Sequence, residues 1–261
     1  MAAFEHLEEC MGTVFAFRGR SEDPRLDAVL KEACEKLHAA DRIFSLYKPE
    51  SPLSRLARGE TSVSELEPVV DVVWNLCERW EKETGGYFSA FTLQHTFDPS
   101  GLVKTWAAQA AIDVLLNAGI SDFTLNAGGD IWLSDGLTQD SGWKLGISKP
   151  VSIASPDAGL LTVVNLKGTD YRAMATSGSA ERGRHIWNPL GAELASEELV
   201  QVTVLANDLV TADVWATAAF AEGPRCLDRL TKVPDVAAMV VYADGRVDGT
   251  AGFAEVLKQS A

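Results

Sequence analysis

Asp213 and Thr217 lie four residues apart in Thr211-Ala212-Asp213-Val214-Trp215-Ala216-Thr217. On a helix that spacing puts both side-chain oxygens on one face. Oxygen donors so placed suit a hard cation such as Mg²⁺, which takes one or two protein ligands and completes its shell with phosphates and water. A plain helix start, with Asp213 countering the dipole and Thr217 facing a strand, uses the same residues. A second stretch is Asp98-Pro99-Ser100-Gly101-Leu102-Val103-Lys104. There a carboxylate, a glycine turn and a lysine open a helix, and the free N–H groups of a helix start attract anions. An ordinary turn capped by Asp98 accounts for it equally.

Two further stretches bear chemistry. Asn126-Ala127-Gly128-Gly129-Asp130 sets two glycines between strands, as a hairpin turn or a ligand loop would. It is not GxGxxG and no helix follows directly, so a Rossmann reading fails. Ala175-Thr176-Ser177-Gly178 reads as a strand end and a small-residue turn, followed by Arg182, Arg184 and His185-Ile186-Trp187-Asn188-Pro189. No G-x-S-x-G elbow surrounds Ser177, which argues against a serine hydrolase. His185 alone fits a packing or surface histidine as well as a base.

Charge narrows the ligands. The chain of 261 residues is 46% apolar, with 23 Lys+Arg against 37 Asp+Glu, a net charge of −14. Such a body repels nucleic acid and anionic lipid, and neither is expected as a partner. It also repels a diphosphate, so a dinucleotide site would need a lysine, a helix N-terminus or a divalent cation. Cys10, Cys34, Cys77 and Cys226 form no CxxC pair and read as four reduced thiols. The first residues show neither the basic nor the apolar region of a signal peptide, and no apolar run approaches the ~20 residues of a membrane span. No membrane insertion and a cytoplasmic location are expected.

The elements that must position these residues follow from periodicity. Residues 10–17 read as a first strand and 25–40 as a helix, with Leu26, Val29, Leu30, Ala33, Leu37 and Ala40 on one face. Residues 45–62 read as irregular. Ser64 and Glu67 form a capping-box pattern before Pro68, and the helix that follows stops at Gly85-Gly86. A helix is expected over 103–118, strands over 122–126, 130–134, 143–148, 160–166, 171–175 and 201–206, and helices over 211–221 and 224–232. A closing hairpin runs from Val236 through Asp244-Gly245. Strands come in runs between helices, which predicts an α+β fold, and no linker divides the chain. A single domain over 1–261 with two interlocked halves is expected.

In order, these segments resemble the ApbE flavin transferase family. Met11-Gly12-Thr13 is similar to its opening M-G-T, and Phe44-Ser45-Leu46-Tyr47 with Ser51 to Leu56 to its S-x-Y…S-x-[IL]-S-R-[LF] segment. Gly86-Tyr87-Phe88 resembles the start of G-x-F-D-[PA]-T, Asp98 to Ala107 resembles D-x-x-G-[IL]-x-K-G-[YWF]-A, and Asn126 to Asp130 resembles N-x-G-G-D. Trp143 to Pro150 resembles W-x-[VL]-G-I-x-x-P, Thr176-Ser177-Gly178 with His185 to Pro189 resembles T-S-G…H-[IL]-[IL]-D-P, and Ala212 to Thr217 resembles [AC]-D-[AG]-x-[AS]-T. The likeness covers about residues 10–222. Departures fall at Ala57, Ser89, Thr105, Gln109 and Asn188, and the stretch between Phe88 and Asp98 is short for the family.

The resemblance implies an ApbE-like, T-fold-like set of mixed sheets packed with helices. It implies Mg²⁺-dependent transfer of FMN from FAD to a Thr or Ser of an acceptor protein, with release of AMP. Asp213, Thr217 and the Gly101 carbonyl would be metal ligands. Met11, Tyr47, Tyr87, Phe88, Asp98 and Lys104 would line the FAD pocket, Thr176, Ser177 and Gly178 would meet the phosphates, and His185 would activate the acceptor hydroxyl. An FAD pyrophosphatase and a non-catalytic FAD-binding module use the same residues. The acceptor signature D-x-x-[ST]-G-A-T is absent, so the chain reads as the modifier and not as its own substrate.

Overall fold

Two residues with positive φ, Met11 at 53° and Gly12 at 70°, turn the N-terminal segment back on itself. Ala2–Cys10 (β1) and Thr13–Ser21 (β2) pair antiparallel across this two-residue turn, from Cys10↔Thr13 to Ala2↔Ser21. The single strand expected over 10–17 is therefore a hairpin turn plus half of β2. β1 carries no aliphatic stripe to mark it, because its inward positions are Phe4, His6, Glu8 and Cys10.

The computed structural model describes residues 1–92, 96–135, 144–150, 159–178, 186–191, 193–194 and 198–260. It divides into two compact units, Met1–Gly128 and Gly129–Ala261. In the first unit Phe123–Ala127 (β3) joins the far edge of β2, from Phe15↔Ala127 to Gly19↔Phe123. Leu26–Phe44 (α1) buries Leu30, Ala33, Leu37 and Phe44 along one stripe, and Phe44 meets Trp106 edge-on at 5.9 Å. Trp106 belongs to Ser100–Asn117 (α4), an alanine-rich helix with Leu102, Ala108, Ile112 and Leu115 fully buried.

The 45–62 segment is more ordered than expected. Ser51 caps a short helix, Pro52–Ala57 (α2), by accepting from the Ser54 N–H at 3.0 Å, and its hydroxyl donates to the Ser45 carbonyl at 2.6 Å. The capping box also differs: the Glu65 carboxylate accepts from the Ser62 N–H at 2.8 Å and closes a 3-10 turn, Val63–Glu65. Pro68 does open the next helix, Pro68–Glu83 (α3), and Gly85 and Gly86 follow it with φ of 66° and 88°.

The second unit holds Asp130–Leu133 (β4), Lys144–Ser148 (β5), Leu160–Asn165 (β6), Ala173–Gly178 (β7), Trp187–Asn188 (β8), Glu193–Leu194 (β9), Leu199–Ala206 (β10), Ala237–Tyr242 (β11) and Val247–Gly249 (β12). Neighbours β4, β7, β10, β11 and β12 pair antiparallel in that order, while β5 pairs with β6 and β8 with β9. Residues 176–178 are thus the last three of β7 and not a turn: Ser177 stands opposite Val202 and Gly178 opposite Gln201. Trp143 lies outside the described residues.

Leu209–Glu222 (α5) packs on β7 and β10, Cys226–Leu230 (α6) follows, and Ala251–Ser260 (α7) closes the chain. α7 was not expected; it lays Phe253 and Val256 into a core with Leu145, Val164, Met174 and Met239. Helices and antiparallel strands in separate runs make the fold α+β. Among the described residues no helix is long and apolar enough to cross a membrane.

Candidate functional site

In the second unit the site is built on α5. Asp208 caps it by accepting from the Thr211 N–H at 2.9 Å, so the helix starts two residues ahead of the expected 211 and Asp213 falls in its second turn. Most of α5 is apolar and buried, and Asp213 itself is only 7% exposed. A carboxylate so placed needs polar or cationic partners to be tolerated. One turn along the same face, the Thr217 hydroxyl lies 3.2 Å from that of Ser177 on β7.

β7 adds more oxygen. The Thr176 N–H donates to the Asp130 carboxylate at 3.2 Å, and the Thr176 and Thr203 hydroxyls are 2.9 Å apart. Asp130 and Thr203 were not among the expected site residues; the position of Asp130 at the end of the Asn126 to Asp130 segment was the available signal. Gly178 is required by close packing, since a Cβ there would sit 2.6 Å from the Val200 carbonyl oxygen. Asp213, Thr217 and Ser177 offer oxygen donors only. That donor chemistry fits a hard cation such as Mg²⁺ and is wrong for softer metals.

In the first unit Phe88, Asp98 and Lys104 lie at the start of α4. Thr84, fully buried, donates its hydroxyl to the Trp80 carbonyl at 2.8 Å and accepts from the Phe88 N–H at 3.1 Å. That hinge seats Phe88 against Gly101, where a Cβ would lie 3.4 Å from the ring. Trp74 packs on Phe91 and Phe97 at 5.0 and 4.5 Å, and Phe91 bridges to Phe97, so an aromatic cluster stands just ahead of α4. Asp98 accepts from the Ser100 N–H at 3.0 Å, and Lys104 stands one turn into the helix, half-buried.

Elsewhere in this unit Met11 occupies the β1–β2 turn, and its positive φ is unusual for a non-glycine residue. Thr13, beside it, packs under Gly128: a Cβ on Gly128 would meet the Thr13 hydroxyl at 2.3 Å. Two of the segments singled out in the sequence therefore touch. Tyr47 is 98% exposed and Tyr87 half-buried. His185 lies outside the described residues.

Nucleophilic cysteine chemistry is disfavoured. All four thiols are free and buried. Burial, with nearby acids, pushes Cys10 up to about 11 and Cys34, Cys77 and Cys226 up to about 12. None is poised as a thiolate nucleophile near neutral pH.

A family model for ApbE matches residues 91–240. The FAD:protein FMN transferase of Vibrio cholerae serotype O1 is 33% identical over 129 residues, which are 46% of this chain and 36% of that protein. One from Klebsiella pneumoniae is 28% identical over 130 residues, 48% of this chain and 39% of that protein. These alignments span well under half of either relative. Among solved structures, the flavin transferase ApbE from Vibrio cholerae superposes with a TM-score of 0.81 at 19% identity, covering 98% of this chain and 99% of that one. An ApbE protein from Thermotoga maritima gives a TM-score of 0.80 at 18% identity, covering 98% and 99%.

Proposed function

Because this chain belongs to the ApbE family, we propose that it is a Mg²⁺-dependent FAD:protein FMN transferase, acting in the cytoplasm on a Thr or Ser of an acceptor protein. The observation that carries this reading is the oxygen set on α5 and β7: Asp213, buried, and Thr217, half-buried, with the buried Ser177 hydroxyl 3.2 Å from that of Thr217. A net charge of −14 makes a cation the natural means of holding a diphosphate here. We take residues 1–261 as one functional domain.

Asp213 and Thr217 are the proposed magnesium ligands, and the ion when bound would neutralise diphosphate charge and ease departure of AMP. The acceptor hydroxyl oxygen attacks the FMN phosphorus, the bond to the AMP oxygen breaks, and a phosphoester links FMN to the acceptor. His185 takes the hydroxyl proton. Lys104 and the start of α4 favour the negative phosphates, while Thr176, Ser177 and Gly178 orient them. Met11, Tyr47, Tyr87, Phe88 and Asp98 are proposed to contact the dinucleotide, and the Gly101 carbonyl is kept as a proposed metal ligand.

The test is intact mass of an acceptor peptide incubated with the protein, FAD and Mg²⁺. The peptide should gain the mass of FMN less water as AMP appears. Asp213→Ala should abolish both, and His185→Ala should retain FAD binding while losing transfer. Free FMN with an unmodified peptide would make the protein a pyrophosphatase. Bound FAD with no AMP would make it a binding module.

A further inference from the structure

A second group of donors lies on β1 and α1, among residues assigned neither to the dinucleotide nor to magnesium. His6, Glu8 and Cys10 alternate along β1 and so share one face. Cys34 and His38 are four apart on α1 and share another. The two faces meet. Cys34 Sγ is 3.3 Å from His6 Nε2, which is 3.5 Å from Glu8 Oε2. His38 Nε2 is 2.7 Å from Glu8 Oε1, and its Nδ1 is 3.6 Å from Cys10 Sγ. Two of the chain's four histidines and two of its four cysteines meet here. His6, Glu8, Cys34 and His38 line an open cleft of about 430 Å³.

We propose that His6, Glu8 and Cys34 form a Zn²⁺ site, with His38 as the positioning residue that holds the Glu8 carboxylate. Ligand atoms of these three lie within 4.8 Å of one another. Zinc bonds of about 2.0 to 2.3 Å at tetrahedral angles put neighbouring ligand atoms about 3.3 to 3.6 Å apart. The Cys34–His6 and His6–Glu8 separations, 3.3 and 3.5 Å, already fall in that range, so zinc enters with little movement of those pairs. A mixed nitrogen, oxygen and sulfur set selects zinc over Mg²⁺ or Ca²⁺. The Cys34 proton leaves on binding, because a coordinating thiol is deprotonated outright. The cleft leaves the fourth position to water. Held this way, zinc staples the hairpin strand β1 to α1.

The test uses the full chain, stripped of metal and kept in excess Mg²⁺ so that hard-cation sites are filled. Chelator competition should find one Zn²⁺ per chain. Co²⁺ in its place should show the visible bands of a tetrahedral site and a thiolate-to-metal charge-transfer band. Cys34→Ser should remove the charge-transfer band, and His6→Ala should weaken zinc by more than ~100-fold, whereas His38→Gln should keep the cobalt spectrum and weaken zinc ~10–100-fold. Cys226→Ser, far along the chain, should change nothing, and circular dichroism should show each variant folded. Absence of stoichiometric zinc in the wild type, a charge-transfer band that survives Cys34→Ser, or wild-type zinc affinity in His6→Ala would each overturn the site.

Discussion

Replacing Thr217 by Val removes one oxygen from α5 and keeps the shape of the side chain. The Thr217 hydroxyl is 3.2 Å from that of Ser177, which is only 8% exposed. If that contact is all the hydroxyl does, the variant loses one hydrogen bond and strands a buried partner, a cost of about 1–2 kcal/mol. In a chain of this size that lowers Tm by roughly 2–8 °C. If Thr217 also binds the metal, a second effect must appear. The Mg²⁺ concentration for half-maximal AMP release should rise by at least about 10-fold, by analogy with loss of groups that support a metal ligand. Thr217→Ser keeps the oxygen and should restore Mg²⁺ dependence. Ser177→Ala cuts the same hydrogen bond from the other side and should lower Tm by a similar amount. The assay is the initial rate of AMP release across a Mg²⁺ titration, beside thermal unfolding. A Thr217→Val protein with lowered Tm and an unchanged Mg²⁺ midpoint would refute the ligand assignment and leave the hydroxyl a structural bridge.

Gly178→Ala should cost about 1–3 kcal/mol, because its Cβ would lie 2.6 Å from a backbone oxygen of β10 that cannot swing away; an unchanged Tm would show that the strands separate freely. Alkaline pH should destabilise the protein through its thiols. Burial, then Glu81 and Asp98, raise Cys77 from 9.0 to about 12, so the unfolded chain loses this proton first. The stabilisation is whole below about pH 9 and is lost as pH rises toward 12. Urea midpoints should therefore fall above about pH 9, and Cys77→Ala should flatten that fall; identical slopes would refute it.

Long apolar stripes were legible in the sequence, and short or polar elements were not. α1 and α3 announce themselves because aliphatics recur at helical spacing through several turns, and α5 through its richness in alanine. The capping box shows a different limit. Ser62-x-x-Glu65 and Ser64-x-x-Glu67 match the pattern equally well, and only the chain path into α3 decides for Ser62. α7 spans ten residues, and its buried Phe253 and Val256 are too few for a periodic signal. The β1–β2 turn was hidden because Met11-Gly12 lacks the Asn-Gly or Asp-Gly signature of a two-residue hairpin.

For the site, spacing within one helix was enough to pair Asp213 with Thr217, since α5 sets that geometry locally. What stands across from the pair depends on strand register, which no local pattern contains. Thr-Ser-Gly has the composition of a turn, yet β7 runs straight through it, and Gly178 is small so that the Val200 carbonyl can approach. Thr176 and Asp130 are bonded across 46 positions of sequence, a pairing only the ladder creates. The zinc donors carry the same lesson further. Their spacing, period two on a strand and four on a helix, is as regular as that of the Asp213 pair. It stayed unread because the strand itself was unread: with residues 2–9 outside any element, His6 and Glu8 had no common face and nothing opposite to Cys34. An element whose inward face sets histidine, glutamate and cysteine beside a single phenylalanine carries no apolar stripe. Donor clusters of this kind are therefore hidden by the same residues that create them.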